Sequence, residues 1–496
     1  MFVKILKGFG ILLILVVVAV WAFLPADFAV KGPIWDFITG KQVETPSEKQ
    51  LSDRLSMPDG FNIGIFAEKV PHARMMRTTS AGDLLVSSIR EGNVILLHAD
   101  HDGDGRSDGR TILLSGLDTP HGLAIKKGRL YVAETHRIIR APFDAVARTI
   151  GDTEVVFDGL PPGGNHRSRT IGFGPDGMLY VTVGSSCNVC IEDHPYRAAM
   201  LRMKPDGSDS MIYATGLRNT VGFDWHPTTG LLYGTDNGRD LLGDDTPHCE
   251  LNQIEEGEFY GWPLTFDNKV TDPDFGIGKE AEIAASREMT LGLGAHVAPL
   301  GIKFFDPAYS PVGYEGAALV ALHGSWNRSV LSGYKIVSVH FAEGGTASQQ
   351  DFLTGFERDE DVIGRPVDME QGLDGSIYIS DDYSGTVYRI TWGDMRASTG
   401  LSVASQSVDA LAGLDEEVLT QLVVQGTRLY MANGCAACHD PSVAADGVQV
   451  KLLDKLRGRF DIDSLSALLD TPPGPMPRPD VSDEERRALA VYLLSM

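Results

Sequence analysis

The amino-acid sequence predicts an all-β propeller of six blades followed by a small all-α domain, with a hydrophobic helix in front of both. Three observations predict this. A turn-then-strand unit recurs through the middle of the chain at blade spacing. Residues 413–496 switch to helical periodicity. Residues 8–24 are an unbroken apolar run. The chain has 496 residues, too many for one compact core and enough for two or three domains.

The apolar run Gly8–Leu24 spans 17 residues and lies behind Lys4 and Lys7. That length is at the short end of the roughly 17–25 residues that cross a bilayer. Residues 1–30 therefore read as an uncleaved membrane anchor, with a cleaved signal peptide as the alternative. In either case the lysines stay inside and the chain after Pro25 is exported, which places it in the periplasm. Lys plus Arg is 43 and Asp plus Glu is 67, for a net charge of −24. No basic stripe is present, which excludes nucleic acid as a partner.

Residues 55–395 carry the recurring unit. Ser80-Ala81-Gly82-Asp83 precedes Leu84-Leu85-Val86, and Lys127-Gly128 precedes Leu130-Tyr131-Val132. Pro175-Asp176-Gly177 precedes Leu179-Tyr180-Val181, and Thr229-Gly230 precedes Leu231-Leu232-Tyr233. Leu373-Asp374-Gly375 precedes Ile377-Tyr378-Ile379, and Glu315-Gly316 before Ala318-Leu319-Val320 is a weaker sixth copy. Gly82, Gly128, Gly177 and Gly230 are spaced by 46, 49 and 53 residues. Such spacing indicates blades of four strands, with longer insertions near 240–300. Between 94–97 and 112–114 lies a loop with Asp100, Asp102, Asp104 and Asp108 at alternating positions and Gly105 sixth. It matches the front half of an EF-hand-like calcium loop, although Thr111 stands where a bidentate Glu belongs.

Residues 396–412 form a linker that takes in nearly all of the Ser-, Ala- and Gly-rich stretch Ser398–Gly413. The final domain, 413–496, contains Cys435-Ala436-Ala437-Cys438-His439. Two cysteines two residues apart and followed by histidine form an attachment site for c-type haem. The thiols add to the haem vinyl groups and the imidazole ligates the iron. Met476, in a Pro- and Gly-rich loop, is the expected second axial ligand. Met431 is too close to the attachment site for that role, and Met496 is terminal. Leu422, Gly426, Leu429 and Tyr430 repeat at helical spacing before the motif. Ser482 and Glu485 make a capping box for a last helix with Leu489, Tyr492 and Leu493 on its apolar face. This segment resembles a class I cytochrome c domain.

Three further cysteines remain. Cys187-Asn188-Val189-Cys190 reads as a short disulfide loop, with a metal pair as the alternative, and Cys249 as a buried thiol.

Within the propeller, Gly164-Asn165-His166-Arg167, Gly216-Leu217-Arg218-Asn219 and Asp236-Asn237-Gly238-Arg239 precede or end blade strands. Glu250, Tyr260-Gly261-Trp262-Pro263 and Gly364-Arg365-Pro366-Val367 follow. This ordered set resembles the soluble quinoprotein glucose dehydrogenase and sorbosone dehydrogenase superfamily, and most of all its L-sorbosone or aldose sugar dehydrogenase branch. The resemblance implies pyrroloquinoline quinone (PQQ) and calcium as cofactors. It implies His166 as the catalytic base, which suits a neutral imidazole. His121 and His323 are second candidates. A planar tricarboxylate calls for arginines, and Arg218 and Arg365 are the candidates, with Arg328 where the glucose enzymes carry a lysine. Asn219 would hydrogen-bond the cofactor. Glu250, Tyr260 and the backbone carbonyls of Gly238 and Arg239 would border the calcium.

The expected function is oxidation of an aldose or sugar-derived aldehyde, with electrons passing to the haem of the same chain. A downstream cytochrome, quinone or oxidase would then accept them. Two other readings compete. One is a haem-carrying propeller that binds without dehydrogenase activity, and the other is a metal-dependent lactonase on the same architecture.

Overall fold

The computed structural model describes residues 31–33, 36, 39–342 and 345–393. In the C-terminal part it describes 411, 414, 416–439, 453, 456, 462–470, 472, 476–479 and 481–495. The apolar run 8–24, nearly all of the linker 396–412, Pro473-Gly474-Pro475 and Met496 lie outside these residues. The chain divides into two compact units, residues 1–401 and 402–496. Among the described residues no helix is long and apolar enough to cross a membrane.

Six antiparallel sheets build the blades of the first unit, five of four strands and one, the second blade, of five. Five are consecutive in sequence, starting with strands Ala73–Thr78, Leu123–Lys126, Ile171–Phe173, Thr220–Trp225 and Pro299–Phe304. The sixth joins Pro366–Gln371, Ile377–Asp381 and Thr386–Trp392 to Phe61–Ala67, a strand from the other end of the unit. Phe61 pairs with Trp392 and Ile63 with Ile390, so the first strand closes the ring. This completes the last blade with a strand from the other end of the unit, so the blades keep only short edges.

Every copy of the recurring sequence unit falls at the same place. Gly82, Gly128, Gly177, Gly230, Gly316 and Gly375 all have positive φ and all turn the chain from the first strand of a blade into the second. The expected insertion sits inside the fourth blade. Between its strands His248–Gln253 and Leu291–Ala295 lie a small hairpin, Thr265–Phe266 with Val270–Thr271, and the helix Glu280–Ala285.

In the second unit the helix Glu416–Ala432 packs across Asp483–Ser495. A Cβ on Gly426 would lie 2.3 Å from the Ala488 carbonyl, so only glycine allows this approach. Tyr430 and Tyr492 meet edge to face at 5.4 Å. The capping box forms as expected, with Ser482 and Glu485 each bonding the other's backbone N–H.

The closing strand buries Ile65 against Tyr388 and the core beneath the last two blades. Ile65→Ala should therefore lower the stability of the propeller by about 2–5 kcal/mol. Urea unfolding followed by propeller fluorescence is the check.

Candidate functional site

In an antiparallel blade the first strand begins where the second ends. All six blades place those chain ends on one face, and there they enclose a cavity of about 1100 Å³. Each blade contributes, as with Arg74, Thr119, His166, Asn219, Trp326 and Arg365.

His166 stands on a Pro- and Gly-rich loop held by two buried arginines. Arg169 donates to the carbonyls of Pro161 and His166, both at 2.9 Å. Arg197 donates to those of Pro162, Gly163 and Gly184 at 2.8, 2.7 and 3.2 Å. The His166 ring packs against Gly184, where a Cβ would lie 2.6 Å from both His166 Cβ and Asn219 Oδ1. Nδ1 of His166 is 3.0 Å from the Ser185 carbonyl and 2.9 Å from its hydroxyl oxygen. A carbonyl only accepts, so Nδ1 carries the proton and Nε2 is the basic nitrogen. Burial, then the Arg218 charge, lowers the imidazole to about 3.

Elsewhere in the cavity a second histidine is tied into a buried ionic chain. Arg365 donates to His323 Nδ1 at 2.9 Å, so His323 donates through Nε2 to Asp382 at 2.9 Å. Arg74 donates to the other Asp382 oxygen at 2.9 Å, while its own Nε is buried without a partner among the described residues. Burial and then Arg365 lower His323 to about 4. Burial alone would raise the Asp382 carboxyl, but His323, Arg74 and Arg365 outweigh it and hold it well below the usual range.

The other expected residues fall into a separate, small chamber of about 30 Å³. Arg218, Gly238, Arg239, Glu250 and Tyr260 line it, with Asp236 and Trp262. Arg218 is committed there. It donates to both oxygens of Asn188 at 2.9 Å and to the Asn237 carbonyl at 3.0 Å. Arg239 pairs with Asp272 and Asp274, and the Tyr260 hydroxyl bonds the Gln253 carbonyl. What these two residues have left to offer an ion is backbone oxygen. Burial raises Asp236 to about 7 and Glu250 to about 8. The Trp262 indole N–H is buried in the same lining without a partner among the described residues. Two acidic groups and an unsatisfied donor fit a hydrated, oxygen-liganded cation.

Three expectations need correction or narrowing. Arg328 lines neither space, because it bonds the Asp244 carbonyl and Asp245. His121 is wholly buried beside Thr170, away from the cavity lining. In the acidic loop, Asp100, Asp102 and Asp108 converge, but Asp104 accepts from the Arg106 N–H. Arg389 already neutralises Asp100 at 2.8 Å. Cys187 and Cys190 form a disulfide, and Cys249 is a buried thiol.

In the second unit Cys435, Cys438, His439 and Met476 line one cavity of about 430 Å³. Its walls are leucines, among them Leu465, Leu469, Leu489 and Leu493. Both cysteines are free thiols. Met431 is 66% exposed on the helix surface, which removes it as a competing ligand. The arrangement fits a flat apolar macrocycle with two attachment points and two axial ligands.

The TrAA12-like family profile matches residues 55–393. A protein of Borreliella burgdorferi is 30% identical, over 70% of this chain and 93% of its own length. A "Pyrroloquinoline quinone-dependent pyranose dehydrogenase" of Coprinopsis cinerea is 23% identical over 70% of this chain, which spans 56% of that relative. The solved PQQ domain of a pyranose dehydrogenase from Coprinopsis cinerea superposes with a TM-score of 0.59 at 20% identity, covering 68% of this chain and 97% of that one. A Trichoderma reesei AA12 structure superposes with a TM-score of 0.60 at 22% identity, covering 68% of this chain and 98% of that one. These superpositions support the six-bladed propeller.

Two outcomes are expected of the site itself. Because its pKa is lowered, His166 keeps its neutral form as pH falls through the usual 6.5 and protonates only near 3. Nitrogen NMR of the cofactor-free protein should show no charging of His166 down to about pH 5. Depressed histidines also withdraw stability on acidification, since the unfolded chain binds the protons first. Gly184→Ala should displace His166 and Asn219 together, visible as shifts of both side-chain resonances.

Proposed function

The chain belongs to the TrAA12-like family, and on that premise we propose that it is a PQQ-dependent dehydrogenase. Its substrate is an aldose or sugar-derived aldehyde, and its electrons pass to a haem c on the same chain. One observation carries the reading. A single cavity unites a neutral histidine whose basic nitrogen has no partner among the described residues with buried arginines and Asn219. When bound, PQQ would supply the hydride-accepting quinone, and calcium in the small chamber would bind the oxygens that line it.

The residues of the chain supply the rest. Nε2 of His166 takes the proton of the substrate hydroxyl, and its Nδ1–H stays on Ser185. Arg365 and the unsatisfied Arg74 Nε suit carboxylates. Asn219 supplies a polar contact on the His166 side of the cavity. Glu250 and the carbonyls of Gly238 and Arg239 are the proposed calcium oxygens. Arg218, bonded to Asn188 and to the Asn237 carbonyl, ties together the loops beside the small chamber. Arg328 has no part in this assignment.

In the second unit Cys435 and Cys438 form the thioethers, and His439 and Met476 are the axial ligands. When bound, haem c supplies a one-electron couple. Covalent haem attachment outside the cytoplasm agrees with export behind the apolar run 8–24. We place the protein in the periplasm, anchored by that run, with a cytochrome, quinone or oxidase as acceptor.

The direct test is to add PQQ and calcium to the purified protein, then an aldose, and follow the haem band. Reduction supports the reading, and a silent band with loaded quinone and a panel of aldoses and aldehydes overturns it. His166→Ala should slow quinone reduction by roughly 10²–10⁴ in stopped flow while PQQ still binds. Met476→Ala should keep the haem and lower its potential, with loss of the sulfur-to-iron absorption of the oxidised protein.

A further inference from the structure

Ser185 is wholly buried, and its hydroxyl donates to the Cys187 carbonyl at 2.7 Å. A hydroxyl has one proton. With that proton committed, Ser185 Oγ offers His166 only lone pairs. The Ser185 hydroxyl and carbonyl both then accept at Nδ1, and the imidazole keeps its proton there. A hydroxyl released from Cys187 is free to donate to Nδ1. It would then compete with the Ser185 carbonyl for Nδ1, and where the hydroxyl wins the ring proton moves to Nε2 and the cavity loses its base.

The Cys187 carbonyl is held from several sides. The bridge to Cys190 closes the loop. Asn188, inside the loop, receives Arg218 on its carbonyl and on Oδ1, both at 2.9 Å. Its Oδ1 also accepts from the Asp240 N–H at 2.8 Å, and its Nδ2 donates back to the Asp240 carbonyl at 3.1 Å. Glu192 accepts from the N–H and hydroxyl of Ser186 at 2.6 and 2.7 Å. The Ser186 carbonyl in turn accepts from the Asn165 N–H at 2.9 Å, which joins this loop to the one that carries His166.

We propose that the bridged loop 187–190 is a tautomer lock on His166. By consuming the Ser185 hydroxyl proton it keeps the basic nitrogen on the cavity side. Ser185 is the positioning residue and the Cys187 carbonyl its anchor. The catalytic consequence rests on the reading of His166 as the base, but the lock itself does not.

The test uses the full chain with nitrogen-15 labelled histidine, free of PQQ. Asn188→Ala/Cys190→Ala opens the bridge and removes the central clamp, and Cys190→Ala alone is the milder variant. His166 Nε2, unprotonated in the native protein, should become protonated in these variants. Adding Ser185→Ala should return the proton to Nδ1, because no hydroxyl is left to donate, whereas Ser185→Thr should not. In the PQQ-loaded enzyme the same variants should lose quinone-reduction kcat by as much as 10²-fold with KM little changed, and Ser185→Ala should restore it. A loop that matters only for folding would not be rescued by deleting a hydroxyl. Nε2 remaining unprotonated in whichever opened variant folds, or a failed rescue, overturns the lock. A tautomer that switches as described in a chain that never oxidises sugar overturns the proposed function and leaves the lock standing.

Discussion

The ladder between Phe61–Ala67 and Thr386–Trp392 is the constraint on which the site depends. Each blade alone offers only a few polar side chains to that face. They share a cavity only because the ring is closed, and the ring is closed by main-chain hydrogen bonds between residues more than three hundred positions apart. Such a contact is non-local, and its loop-closure cost falls on the last step of assembly. Inside the ring the inner strands carry charged groups that a simple apolar core would exclude, and these are paired. Asp368 accepts the Met76 N–H, Asp224 accepts the Phe304 N–H, and Lys303 lies 3.3 Å from Glu370. Burying them is tolerable because each meets a donor or an opposite charge.

Two ways of placing an arginine coexist around the cavity, with different electrostatic results. Arg74 meets a carboxylate, Asp382, which offsets its charge. Arg169 and Arg197 hydrogen-bond only to carbonyls, and of the two only Arg197 has a carboxylate, Glu192, acting on it through space. Burial and its neighbour Arg197 lower the Arg169 guanidinium to about 9, still charged at neutral pH. The arrangement stiffens a Pro- and Gly-rich loop and biases it against a cationic histidine. Stiffness and neutrality are both what a general base requires.

What was legible in the sequence was local. The inner hairpin of each blade needs a glycine in the left-handed region, and that repeated demand exposes the blade count. The Cys435–His439 motif and the Ser482 cap are likewise confined to a few residues. Residues that matter through ring geometry were not legible. Arg74, Trp326 and Asp382 enter the cavity from different blades, with no spacing that links them. Asp382 follows the second strand of the last blade, an edge whose role appears only when six such edges are superposed. Arg218 and Arg328 were misjudged for a related reason. An arginine near a motif looks available for a ligand, but Asn188 and Asp244–Asp245 already engage these two. The closing strand was also invisible, since nothing in Phe61–Ala67 names its partner.

The closing ladder has a mechanical consequence. Phe61 and Trp392 are partners at its outer end, so the chain enters and leaves the ring side by side. Tension across the two exits would part the strands one pair at a time from that end, a geometry far weaker than shearing the whole ladder at once. The segment before Phe61 does not leave freely, however. It is fastened at Lys31 to Glu360, at Arg54 to Asp361 and at Ser56 to Thr354. These fastenings lie along the path of the force and would yield first. They act as a strain relief, shielding that seam of the ring from any pull on the segment before Phe61.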